Sequence, residues 1–125
     1  MPLERILAAG VPVALATDVG AGPDLSMLDV IRSCLEVHRG FLDLSPGDAL
    51  RMATFGGATA IGEGAERGAL VSGRVADAVA LRIPGGLRRG ESGEEALQRV
   101  LREFEGGYEE AVVGLWLAGC PAQTQ

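Results

Sequence analysis

The stretch Val11-Pro-Val-Ala-Leu-Ala-Thr-Asp18 decides how this sequence is interpreted. Its first six residues form a continuous apolar run, which is typical of a strand buried on both faces of a parallel sheet. The run ends at Thr17-Asp18 and continues into a loop that contains Gly20 and Gly22. Asp18 is thereby placed at the C-terminal mouth of the sheet, where α/β folds keep their active sites. It is a candidate metal ligand or general base, and the equal alternative is that it caps backbone amides of the loop.

Helices are predicted on both sides of this strand. Residues 3–9 form a short helix, and the apolar spacing predicts a second over about 26–38. A third covers residues 45–61, because a serine followed by a proline marks its first turn. The pair Gly56-Gly57 lies inside it. Each glycine weakens a helix by roughly 0.5–1 kcal/mol relative to alanine, so close packing against a neighbour is expected there.

The second half of the chain has the character of a small β module. Short apolar pieces at residues 69–71 and 78–81 predict two strands. A Gly-, Pro- and Arg-rich loop at 84–93 leads into a helix over 92–106, which begins with a variant of the capping box. Residues 111–118 predict a final strand. The order of elements predicts an α/β fold in which the end of a barrel is followed by a β module.

Composition and charge exclude several classes of protein. With 125 residues and 47% hydrophobic content, the chain suffices for a folded domain but not for a complete eight-stranded barrel of about 250 residues. A net charge of −6 argues against a nucleic-acid partner. The arginines at 82, 88 and 89 are followed by glutamates, so they are interpreted as solvated surface and not as a binding patch. No secretory signal or apolar run of ~20 residues indicates a membrane, and a cytoplasmic location is expected.

One pair of residues has metal-ligand chemistry away from Asp18. Cys34 and His38 are four residues apart, which places them on one face of the predicted helix. A metal site there competes with a plainer interpretation, a buried cysteine beside a surface histidine. The remaining cysteine, Cys120, forms no C-x-x-C pair.

Six stretches along the chain carry a family resemblance. They are Gly10–Leu28 with its Thr-Asp-Val-Gly-Ala-Gly core, Ala49–Gly62 with Ala-Thr-Phe-Gly-Gly-Ala, Arg67-Gly68, Gly73-Arg74, Ala76-Asp77-Ala78 and Val113–Gly119. In order and spacing they resemble the last barrel strand, the next helix and the flanking β module of the amidohydrolase superfamily. They are more similar to guanine deaminases than to its cytosine, adenosine or triazine branches.

The resemblance implies a fold, a reaction and a role for Asp18. Residues 1–64 would be the last strand and helices of a TIM-type (β/α)8 barrel, and residues 65–125 part of a flanking β module. The implied enzyme is a zinc-dependent guanine deaminase, which hydrolyses guanine to xanthine and ammonia in purine catabolism. Asp18 would bind the metal and shuttle the proton. Thr17 would pack or hydrogen-bond beneath it, and the loop from Gly20 to Gly22 would line the mouth.

The departures from the family pattern are as informative as the matches. The family also holds its metal through a His-x-His pair and further histidines, whereas this sequence has one histidine, His38. A catalytic zinc needs about three protein ligands, so this chain alone is not expected to hold zinc or to deaminate guanine. We therefore expect a C-terminal fragment completed by an N-terminal part, in the same gene or as a complementary chain. Unpaired barrel edges also predict self-association.

Two alternatives remain beside that hypothesis. The first is a non-catalytic subunit or interaction module derived from an amidohydrolase. The second is another amidohydrolase branch, such as a chlorohydrolase or a different purine or aminopyrimidine deaminase.

Overall fold

The computed structural model describes residues 3–21, 25–104 and 107–122. They form helices and one antiparallel sheet. In chain order the elements are α1 (Leu3–Ala8), α2 (Met27–His38), α3 (Pro46–Ala53), α4 (Phe55–Ala60), β1 (Ala78–Leu81), α5 (Gly93–Glu103), a 3₁₀ helix (Tyr108–Ala111), β2 (Val112–Leu117) and β3 (Cys120–Pro121). No helix of the described residues is both long and apolar enough to cross a membrane.

The predicted helix starts are confirmed by their caps. The Ser45 hydroxyl accepts a hydrogen bond from the Asp48 amide at 3.1 Å, and the Asp48 carboxylate accepts from the Ser45 amide at 3.1 Å. Ser92 and Glu95 form the same reciprocal pair before α5. Each capping box satisfies amides that the first helical turn leaves without an intrahelical acceptor.

The helix predicted over residues 45–61 is in fact two helices. The backbone leaves helical geometry at Thr54, where φ is −122° and ψ is −93°, so α3 ends at Ala53 and α4 begins at Phe55. The expected close packing at the glycine pair is confirmed for Gly56, where a methyl group would stand 3.0 Å from the Arg51 carbonyl oxygen. At Gly57 a methyl group would make only an ordinary contact, at 3.6 Å.

The strand predicted over residues 11–16 is wrong for this structure. The segment from 11 to 18 lies in neither a helix nor a strand, although its side chains alternate as they do along a strand. Val13, Leu15 and Thr17 are half-buried, and the residues between them are exposed. A parallel strand requires a neighbouring strand, and no other described segment lies beside this one as a strand.

The sheet has the order β1-β2-β3, with both pairs antiparallel. The final predicted strand is confirmed as β2, but residues 69–71 form no strand, and β3 was not predicted. A two-residue turn joins β2 to β3 through Ala118 and Gly119, which have positive φ values of 50° and 78°. The Asp77 carboxylate accepts from the Ala118 amide at 2.8 Å, so the segment before β1 holds this turn in place.

The core lies where α2, α3 and α5 meet. Its buried side chains are Ile31, Ala49, Met52, Leu97, Leu101 and Tyr108. The Tyr108 hydroxyl donates to the Leu101 carbonyl at 2.6 Å, which satisfies its polar group inside the apolar cluster. The other buried members of this cluster are aliphatic or methionine side chains, so Tyr108 is its one aromatic residue among those described as buried.

A buried arginine holds the loop before α5. Arg99 is 4% exposed, and its guanidinium donates to both Glu91 carboxylate oxygens at 2.9 and 2.7 Å. It also donates to the carbonyl oxygens of Pro84 and Gly86. The pKa of Glu91 is lowered, first by the Arg88 amide that donates to it and then by Arg99. The loop predicted over residues 84–93 therefore has a fixed conformation.

Candidate active site

Asp18 ends the extended segment and begins a tight turn. Its carbonyl oxygen accepts from the Ala21 amide at 2.9 Å, and Gly20 within the turn has a φ of +98°. Asp18 itself has a φ of +49°, in the left-handed region that aspartate and asparagine tolerate better than most residues. The turn presents Asp18 to solvent, while Thr17 before it is half-buried.

Two predictions concern the surroundings of Asp18: the mouth loop at Gly20 and Gly22, and the capping of loop amides. Gly20 lies in the turn that follows Asp18, but Gly22 lies outside the described residues. The capping alternative predicted that the Asp18 side chain accepts from loop amides. Among the described residues, it is the Asp18 backbone carbonyl that accepts such a bond, and its carboxylate accepts none.

The donor set for a metal is incomplete in the described part of the chain. Within residues 3–21, 25–104 and 107–122, no three His, Cys, Asp or Glu side chains are placed to hold a metal ion together. His38 Nδ1 lies 2.8 Å from the Cys34 carbonyl oxygen and 3.9 Å from Cys34 Sγ, within α2. Burial raises the pKa of the Cys34 thiol, which opposes the thiolate that zinc would bind. These residues do not fit a zinc ion by themselves.

The segment that carries Asp18 is attached to the junction of α3 and α4. The Leu15 amide donates to the Met52 carbonyl oxygen at 3.2 Å. That carbonyl lies in the last turn of α3, where the helix break leaves an acceptor for a neighbouring segment. This bond was not predicted from the sequence. The Ala-Thr-Phe-Gly-Gly pattern marked the region, but the conformation of Thr54 was not evident from it.

An open groove of about 470 Å³ runs beside the same segment. Its apolar lining includes Leu7, Val11, Val13, Met52 and Phe55. The Arg51 guanidinium lies 5.4 Å from the centre of the Phe55 ring. Thr17 and Asp18 do not line this groove, so it is distinct from the predicted mouth of the site.

Comparison with known proteins identifies the family. The family model described as "Amidohydrolase family" matches residues 1–124. The chain belongs to the amidohydrolase family. A protein of Deinococcus radiodurans named probable guanine deaminase is 36% identical over 133 aligned positions, which cover 94% of this chain and 28% of that protein. The resemblance to guanine deaminases is thereby confirmed.

Two further relatives define the range of similarity. An imidazolonepropionase of Geobacillus kaustophilus is 40% identical over 83 positions, covering 65% of this chain and 19% of that protein. The structure of E. coli guanine deaminase superimposes with a TM-score of 0.83 over 98% of this chain and 30% of that one. At 22% identity this likeness shows the fold alone. The chain spans less than a third of the length of each relative.

Proposed function

We propose that this chain is the C-terminal portion of a zinc-dependent guanine deaminase, which hydrolyses guanine to xanthine and ammonia. The observation that carries this proposal is the 36% identity to a probable guanine deaminase across 94% of the chain. The imidazolonepropionase likeness is confined to 65% of the chain. We assign residues 1–64 to the end of the barrel and residues 65–125 to the flanking β module.

Asp18 is the catalytic carboxylate that this portion contributes. Its backbone is held in the turn to Ala21, its side chain is exposed, and Thr17 before it is half-buried. A carboxylate held in this way can take up and release a proton at a substrate, which typically accelerates a reaction by about 10²–10⁴-fold. We assign Gly20 and Gly22 to the loop at the mouth of the site; the turn at Gly20 has open space where a side chain would stand.

The remaining zinc ligands and the guanine-binding residues lie outside this chain in our proposal. The described residues offer no group of three metal-binding side chains, and the sequence has a single histidine, which is engaged with the Cys34 carbonyl within α2. Catalysis then requires an N-terminal part, whether in one polypeptide or as a complementary chain. The same observation favours the second candidate, a non-catalytic module, if no such part exists.

A chimera tests this proposal directly. The part of the D. radiodurans relative that aligns with this chain is replaced by the 125 residues, and conversion of guanine to xanthine is followed by absorbance. We expect turnover of guanine. Asp18→Asn should lower kcat by about 100-fold or more. Asparagine is the suitable replacement because it also tolerates the positive φ at this position.

The control is Asp43→Asn, which changes an exposed carboxylate elsewhere in the described chain. It should leave kcat unchanged. Full activity of the Asp18→Asn chimera would refute the catalytic role, and a folded parent chimera that does not turn over guanine would refute the proposed function. The 125-residue chain alone should retain no stoichiometric zinc by elemental analysis and no deaminase activity. Stoichiometric zinc in that sample would contradict the incomplete ligand set.

A further inference from the structure

The backbone of Val13 passes unusually close to Gly56. A methyl group added at Gly56 would stand 3.1 Å from the Val13 carbonyl oxygen and 3.0 Å from that of Arg51. Both distances are tighter than side-chain carbons ordinarily adopt against backbone oxygen, so a side chain at this position would displace one of the two segments. The absence of a side chain at Gly56 is therefore what allows the extended segment to lie against α4.

The break at Thr54 supplies the second contact. Because the backbone leaves helical geometry there, the Thr54 amide donates to the Arg51 carbonyl at 3.3 Å and α3 ends. The Met52 carbonyl in this last turn accepts from the Leu15 amide at 3.2 Å. The segment is thus held at two successive points, by the close approach at Val13 and by the hydrogen bond at Leu15. Asp18 follows three residues later.

We propose that Gly56 and the Met52 carbonyl position Asp18 by clamping residues 13–15 against the junction of α3 and α4. The inference rests on the proposed function of Asp18 for its catalytic consequence, but not for the clamp itself. Gly56 touches no reacting group and is a positioning residue. Its effect passes through the backbone from Val13 to the turn at Asp18.

The neighbouring glycine provides a matched control. Gly56 and Gly57 lie in the same helix and one residue apart, and both change to alanine with the same gain of helix propensity. A methyl group at Gly57 would meet only the Met52 carbonyl oxygen at 3.6 Å, which is an ordinary contact. Any difference between the two variants therefore reports the close approach to Val13 and Arg51.

Hydrogen exchange in the 125-residue chain tests the clamp without reference to catalysis. In Gly56→Ala the protection of the Leu15 amide should fall by roughly tenfold or more, as the bond to Met52 lengthens. In Gly57→Ala it should be unchanged or higher. The Ala96 amide, which donates to the Ser92 carbonyl at 3.1 Å in α5, is the internal reference for global unfolding. If Ala96 loses protection equally, the exchange of Gly56→Ala is measured again at lower temperature, where the global fold is retained.

Kinetics of the chimera test the consequence for Asp18. Gly56→Ala should lower kcat by about 3- to 10-fold, because the neighbouring backbone must move by a few tenths of an ångström and a misplacement of about 1 Å costs roughly 100-fold. KM should change by no more than about twofold, because ground-state binding is retained. Gly57→Ala should leave both constants within about twofold. A merely structural role for Gly56 would lower the amount of folded enzyme and leave the kcat of the folded fraction unchanged.

The outcomes separate this inference from the proposed function. An unprotected Leu15 amide in the parent chain, or equal protection of that amide in the two glycine variants, overturns the clamp. An inactive parent chimera overturns the proposed function, and the exchange result still decides the clamp. Loss of Leu15 protection with an unchanged kcat in an active chimera overturns the positioning of Asp18.

Discussion

The tripeptide Val-Ala-Leu occurs twice in this chain, at residues 13–15 and at residues 79–81, and the two copies have different structures. The second copy lies in β1, where Val79 faces Leu115 and Ala80 faces Gly114 across the antiparallel ladder. The first copy belongs to no strand and is attached through the single described bond from Leu15 to Met52. Local β propensity is the same in both, so pairing and not propensity separates them.

The surroundings of each copy explain the difference. An antiparallel neighbour can be supplied by a nearby segment of the same chain, as β2 and β3 are here. A parallel neighbour requires a crossover connection of a dozen or more residues, and the described residues contain no strand that could serve. The first copy retains the alternating burial of a strand, which agrees with the proposal that its neighbours belong to the rest of an amidohydrolase barrel.

Proline at the middle residue of each copy should produce the largest contrast. The Leu115 carbonyl accepts from the Ala122 amide, so the backbone groups of Leu115 point toward β3. Because these groups alternate along a strand, those of Gly114 point toward β1. The Ala80 amide lies opposite Gly114 and therefore points toward β2. Ala80→Pro removes that donor and should cost about 2–4 kcal/mol of unfolding free energy. Ala14→Pro should change it by less than about 1 kcal/mol, because the described residues give the Ala14 amide no acceptor.

Urea denaturation followed by fluorescence of the single tryptophan, Trp116 in β2, measures both effects. Equal losses of unfolding free energy in the two proline variants would mean that residues 13–15 pair with another strand in solution, for instance through self-association. Repeating the titration over a range of protein concentrations distinguishes that case, since pairing between chains makes the midpoint depend on concentration.

The contact between Asp77 and the β2–β3 turn should have the next largest effect. Asp77 precedes β1, accepts from the Ala118 amide at 2.8 Å and lies 3.6 Å from the Arg67 guanidinium. Asp77→Ala should therefore cost about 1–2 kcal/mol and should speed exchange of the Ala118 amide. Asp43→Ala is the control, because this exposed carboxylate has no hydrogen bond or ion pair with a described residue. Slow hydrogen exchange of the Ala118 amide in the Asp77 variant would show that the turn keeps its conformation without this hydrogen bond.

The same contrast shows what could be predicted from the sequence. Capping at Ser45 and Ser92 was predicted correctly because each cap joins residues only three apart, and the residue types alone determine it. The strand at residues 11–16 was predicted from the same kind of local pattern, but its formation depends on a distant neighbour. The break at Thr54 was likewise not evident from the residue types, because the apolar spacing continues through it.

The candidate site likewise has one feature that depends on local sequence and one that depends on distant residues. The position of Asp18 after an extended apolar segment and before a glycine turn is local, and the structure retains it. The completeness of a metal site is not local, because ligands converge from separate strands. A sequence with one histidine predicts that incompleteness by counting alone.

Acid should weaken the start of α5, and this is the smallest effect expected. The pKa of Glu95 is lowered by the bond from the Ser92 amide and then by the Ser92 hydroxyl, and that of Glu91 by the Arg88 amide and then by Arg99. Because folding lowers these pKa values, the carboxylates stabilise the fold fully above the ordinary glutamate pKa of about 4.3. Their contribution is lost as the pH falls through the lowered values.

Unfolding free energy measured between about pH 3 and pH 6 should therefore fall less steeply toward acid in Glu95→Gln. Glu103→Gln is the control, because Glu103 is exposed and has no described partner, and it should keep the pH dependence of the parent chain. If both variants reduced the pH dependence of the unfolding free energy equally, the acid sensitivity would arise from net charge and not from the cap.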